Sequence, residues 1–129
     1  MMNSPIYKFF LWLYALFYVL AGYNHFLSTQ VYYVIIPKWL PAPEFLIYFS
    51  GILEIVLGLS LLFDRTRKFA ALLIILMLIA FIPAHIYMIR KAPFMLGQIT
   101  VTPLMAWLRL PFQLVFIGSA WYYYRNPIN

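Results

Sequence analysis

The stretch FSGILEIVLGLSLLF, residues 49–63, is apolar on both sides of a single acid, Glu54. It presents no polar face to water and reads as a helix inside hydrocarbon, where a carboxylate is costly and calls for partners. The rest of the chain agrees. Its 129 residues suit one domain, of which 66% are hydrophobic and 9% charged. Ordinary soluble domains are about a quarter charged. So short a chain cannot bury that much apolar surface away from water, which makes the lipid bilayer its natural partner.

The charge is +6, from nine basic and three acidic side chains. Nucleic acid is excluded as a partner, because the bases form no polar surface interleaved with aromatics. They suit the ends of membrane spans instead. No cysteine is present, which removes disulfides, thiolate metal sites and dithiol relays. The N-terminal apolar run continues past a signal-peptide core without a small-x-small cleavage site and reads as an uncleaved first span.

Four segments approach the ~20 residues that cross a bilayer core: Pro5–Leu27, Pro43–Phe63, Lys68–Ile89 and Pro103–Tyr124. Backbone groups in lipid must be satisfied within the segment, so the spans are helices and the expected fold is all-α, an integral membrane four-helix bundle in one domain. Asp64–Lys68 reads as a tight turn, with its bases as a lipid-headgroup anchor. Arg90–Thr102 is a longer link containing Pro93 and Gly97. Ser28–Ala42, rich in Tyr, Trp and Pro, reads as an interfacial loop between the first two helices, folded over the bundle. Lys8, Arg65, Arg67, Lys68 and Arg125 lie on the side of the termini, against Lys38, Arg90 and Lys91 opposite, which places both termini in the cytoplasm.

Ionisable groups inside spans mark function by default. Here they are His25, Glu54, His85 and Arg109, joined by the neutral Asn24 and Gln113. At a helical rise of ~1.5 Å per residue, Glu54 lies about 16 Å from the non-cytoplasmic end, Arg109 about 9 Å and His85 about 6 Å. All four fall in the half of the bilayer away from the termini. Ser50, Gly51, Glu54 and Gly58 share one helix face, as do Tyr18, Ala21, Gly22 and His25. Pro83 and Pro111 leave the Ile79 and Trp107 carbonyls without their helical partners. These positions predict a buried polar chamber, with Glu54 and Arg109 as its charged pair.

Plainer readings stand beside this one. Glu54 and Arg109 would also serve as an ion pair that orients two helices. Each histidine alone suits an ordinary core or interfacial site, and the tyrosines suit packing and the membrane belt. No metal site is expected, because no HxxxH or ExxH spacing gathers ligands on one helix. Haem would need His25 and His85 at one depth, and is disfavoured.

In order along the chain, GYNHF (22–26), IIPKWLPAP (35–43), SGILEIVLG (50–58), TRKFAA (66–71), FIPAHIYM (81–88) and WLRLPFQ (107–113) resemble the DoxX-like membrane proteins. The resemblance covers nearly the whole chain. It implies a small four-helix protein of the bacterial cytoplasmic membrane with a redox-associated role, and puts His25, Glu54, Arg109 and Gln113 on the family's polar positions. His85 stands where many relatives carry Asn.

The expected function is a redox-associated accessory protein holding a quinone or other small amphipathic ligand, with His25, Glu54, His85, Arg109 and Gln113 as ligand-binding residues. No residue is assigned a catalytic role. Electron transfer would require a membrane or redox protein partner, since the chain supplies no carrier of its own. The alternatives are a non-enzymatic assembly factor acting through the small-residue face, and a proton-coupled carrier working as a homo-oligomer.

Overall fold

A computed structural model describes residues 5–96 and 98–127; Gly97 of the third link lies outside them. The order is α1 (Pro5–Leu27), α2 (Thr29–Ile35), α3 (Pro43–Ser60), α4 (Asp64–Ala80), α5 (Ile82–Lys91), β1 (Phe94–Leu96), β2 (Ile99–Val101) and α6 (Pro103–Arg125). The chain is mostly helical. Among the described residues four helices, with α4 and α5 taken as one, are long and apolar enough to cross a membrane.

Proline sets where these helices begin. Pro5, Pro43 and Pro103 each open one, since the first helical position needs no N–H donor. Thr102 caps α6 by accepting from the Met105 N–H at 3.2 Å. Ala42 precedes α3 in the left-handed region, with φ 50°. For a residue with a Cβ that conformation costs roughly 1–2 kcal/mol, which the flanking turn must offset.

The expected boundaries are corrected in three places. The second span ends at Ser60, and Asp64–Lys68 is the first turn of α4 rather than a loop. The third span is broken at Phe81, two residues before Pro83, whose ring cannot continue the hydrogen-bond ladder. The Ser28–Ala42 loop contains α2, so VYYVI is helical. The all-α expectation also omitted an antiparallel hairpin, in which Phe94 faces Val101 and Leu96 faces Ile99.

Arg67, expected among the headgroup anchors, is turned inward and 3% exposed. Its guanidinium donates to Leu61 O at 2.7 Å, Leu62 O at 3.3 Å, Asp64 Oδ1 at 3.0 Å and Pro127 O at 2.7 Å. Leu61 and Leu62 lie in the turn just past α3, where the helical ladder has ended, and a planar fork of N–H groups is suited to collect their carbonyls. Arg67 thus ties the α3–α4 turn to the C-terminal segment.

Helix α1 packs mainly on α3, and α4 on α6, with α3–α4 contacts joining the two pairs. The α1–α3 seam depends on glycine. A Cβ at Gly22 would meet Gly51 O at 2.4 Å, and one at Gly58 would meet Ala15 O at 2.9 Å. Gly22 opposite Gly51 and Ala15 opposite Gly58 keep one antiparallel register, two turns apart. Small residues let helix backbones approach this closely. Toward the termini, Tyr7, Leu11, Tyr14, Leu57, Ile74, Met77 and Tyr123 form the larger core. Met88, Val101 and Ala106 form a smaller one beside the hairpin. The outward faces are apolar, among them Phe9, Trp12, Leu20, Ile52, Leu76 and Leu114. Apolar surface of this extent suits lipid rather than water.

Candidate functional site

Three residues beyond Gly22 on α1, and three beyond Gly51 on α3, stand His25 and Glu54. The close seam brings them together: His25 Nε2 lies 2.8 Å from Glu54 Oε2, and both residues are buried. On the other edge of the ring, His25 Nδ1 lies 2.9 Å from Ile47 O and 3.1 Å from Ser50 Oγ. A carbonyl oxygen only accepts, so Nδ1 carries a hydrogen. At 2.8 Å acid and imidazole are each other's charge partners, and an imidazolium against a carboxylate carries no net charge. The contact is close but not well aligned, and Oε2 accepts no regular hydrogen bond. The distance makes it an ion-pair contact, and Oε2 keeps lone-pair capacity for a further donor.

The α2 helix holds this pair from above. The Tyr32 ring lies over His25, centroids 4.1 Å apart, and Asn24 Nδ2 donates to Tyr32 Oη at 3.0 Å. Burial raises the Tyr32 hydroxyl above its ordinary pKa; the Asn24 hydrogen bond opposes this, Glu54 adds to it and Arg109 opposes it. Tyr32 is therefore within electrostatic reach of both Glu54 and Arg109.

His25, Glu54, His85, Arg109 and Gln113 all line one cavity of about 500 Å³. This lies within the range usual for small-molecule sites. Its remaining walls are mainly apolar, with Tyr18, Met77, Leu78 and Phe116 toward the termini and Ile35, Pro37 and Leu40 from the α2 segment. Phe17, Phe49 and Phe112 line it too and are themselves exposed, so it reaches the outer surface of the helices. The break at Phe81 shapes the wall opposite the pair. Gln113 donates to Leu78 O at 2.6 Å, near the end of α4, and His85 follows one turn into α5. His85 Nδ1 is buried with no regular hydrogen-bond partner among the described residues.

The expected Glu54–Arg109 pair is corrected. Among the described residues the ion pairs are His25–Glu54 and Arg67–Asp64. The α1–α3 seam places an imidazole directly against the acid, whereas Arg109 comes from α6 on the other helix pair and keeps an exposed side chain. Among the described residues no metal-ligand cluster forms. Sequence reasoning placed Tyr32 only in the loop over the bundle, not among the binding residues, and did not assign Ser50 to the site. A cue existed, since Ser50 shares the Gly51–Glu54 face.

Tyr14 and Tyr18 extend the polar interior. Tyr14 Oη donates to Phe116 O at 2.7 Å, so in its 2.8 Å contact with Tyr18 it accepts, and Tyr18 donates. The bond from α1 to α6 draws the two helix pairs together below the cavity, reinforced by the stacked Phe17 and Phe116 rings 4.8 Å apart.

Residues 14–124 match the family model described as Domain of unknown function (DUF8561). The chain belongs to the DUF8561 family. The matched region includes His25, Glu54, His85, Arg109 and Gln113, and both helix pairs apart from the start of α1 and Arg125. No curated protein and no solved structure matches this DUF8561 chain.

Proposed function

We propose that the chain is a DoxX-like integral membrane four-helix bundle that holds a quinone or another small amphipathic ligand in the cavity, as an accessory to membrane redox chemistry. The bundle sits in a bacterial cytoplasmic membrane with both termini cytoplasmic and the α2 segment at the opposite interface. The observation that carries this reading is the convergence of Glu54, His25, His85, Arg109 and Gln113 on one largely apolar cavity that reaches the helix surface. A ligand dissolved in lipid would enter past Phe17 and Phe112 and present its head to these groups. Buried polar atoms are normally hydrogen-bonded, and the unused capacity at Glu54 Oε2 and His85 Nδ1 is what a polar head would fill. Electron transfer would come from a partner protein.

The assembly-factor alternative loses its main surface. Gly22, Gly51 and Gly58 are used within the chain, between α1 and α3, and are not free to receive a foreign helix.

The test is to purify the protein in mild detergent and identify co-purifying small molecules by mass spectrometry, alongside Arg109→Ala and Glu54→Gln variants. The pocket reading expects a defined amphiphile in the wild type that is depleted in both variants. Identical content in all three would refute it.

A further inference from the structure

The cavity's charges do not cancel. Among the described residues lining it the one acid, Glu54, is matched by the His25 imidazole at 2.8 Å, and as an ion pair the two carry no net charge. On the opposite wall, Arg109 has no carboxylate within ion-pair distance among the described residues. His85, which lines the same wall, keeps a buried nitrogen with no regular hydrogen-bond partner among the described residues. The remaining polar wall residues, Gln113, Tyr18, Tyr32 and Ser50, are neutral hydrogen-bonding groups. Arg109 lines an apolar cavity without a carboxylate partner among the described residues, which favours a ligand that supplies one, because charge-assisted hydrogen bonds to Arg are roughly twice as strong as neutral ones.

We propose that the cavity selects an acidic amphiphile, one with a single carboxylate on an apolar tail. The carboxylate sits against Arg109, with His85 within its reach, and the tail leaves along Phe112 and Phe17. The neutral His25–Glu54 pair forms the far wall without repelling the anion, and Oε2 remains open to a hydroxyl donor on the same ligand. This rests on the pocket reading above and narrows its ligand class: an uncharged quinone of similar size binds more weakly than a carboxylate.

The experiment measures binding of laurate, methyl laurate and decylubiquinone to the full chain in nanodiscs of a neutral lipid, for wild type, Arg109→Gln and Arg109→Lys. Arg109 is exposed and makes no ion pair among the described residues, so neither variant breaks a charge pair within the protein. Laurate should bind the wild type at least about tenfold more tightly than methyl laurate or decylubiquinone, as expected of a charge-assisted contact. Arg109→Gln should lower laurate binding far more than ester binding and so remove most of the preference, while Arg109→Lys should keep most of it. Equal binding of laurate and ester by the wild type, or tighter binding of decylubiquinone, would overturn the acidic class and leave the pocket standing. Failure of all three probes to bind would remove both. A laurate preference that survives Arg109→Gln would also overturn the assignment.

Discussion

Adding one methyl group at Gly22 should separate the two helices that build the site. The Cβ of Gly22→Ala would fall 2.4 Å from Gly51 O, 2.7 Å from Ile55 Cγ1 and 3.0 Å from Ile55 N. Ordinary contact begins near 3.4 Å, so the α1 and α3 backbones must part by about 1 Å. Two of the three obstacles are backbone, which no rotamer change relieves. Overpacking usually costs about 1–3 kcal/mol, and a backbone clash belongs at the upper end. For a chain of this length, about 3 kcal/mol corresponds to a melting temperature lowered by roughly 10 °C. Gly51→Ala meets His25 Cβ at 2.8 Å and Gly22 O at 2.9 Å, so it should cost somewhat less and displace His25 from Glu54. Gly118→Ala meets nothing within 4 Å and should be neutral or stabilising by up to about 1 kcal/mol, because alanine is the better helix former. Thermal unfolding in mild detergent, followed by tryptophan fluorescence, ranks the three. If Gly22→Ala melts with the wild type while Gly118→Ala is destabilised, the glycine seam is wrong.

Two further outcomes follow from the same contacts. A double-mutant cycle on His25→Ala and Glu54→Ala, read by thermal unfolding, should give a coupling of about 1–3 kcal/mol, as expected for residues in direct contact; additive effects would mean the pair does not form. Arg67→Met should destabilise by about 3 kcal/mol, through loss of a buried charged donor that serves the α3 end and Pro127 O. Arg67→Lys should not restore stability, because a compact ammonium cannot reproduce the planar fork, and full rescue by lysine would contradict the cap.

The spans were legible because proline and charge punctuate them. Pro5, Pro43 and Pro103 open helices where expected, and the first span ends at Leu27 as read. The polar cavity residues were legible too, since an ionisable group in an apolar run is conspicuous. Their pairing was not. Helical spacing gives the face of Glu54 and the face of His25, but not which helices adjoin or at what depth. The glycines carried that information, and only the antiparallel register of Gly22 on Gly51 turns it into a contact. Arg67 was hidden by its neighbours, because nothing in DRTRK distinguishes the base that turns inward. The α2 helix and the hairpin escaped for a different reason. VYYVI is rich in β-branched and aromatic residues with weak helical preference, and strands of three residues leave no readable alternation.

The most direct measurement is an experimental structure of the wild type in a native-lipid nanodisc. The account predicts non-protein density in the cavity, its head between Arg109 and the His25–Glu54 pair and its tail emerging beside Phe112. A cavity closed by its own side chains, with Arg109 turned out to the lipid headgroups, would contradict it.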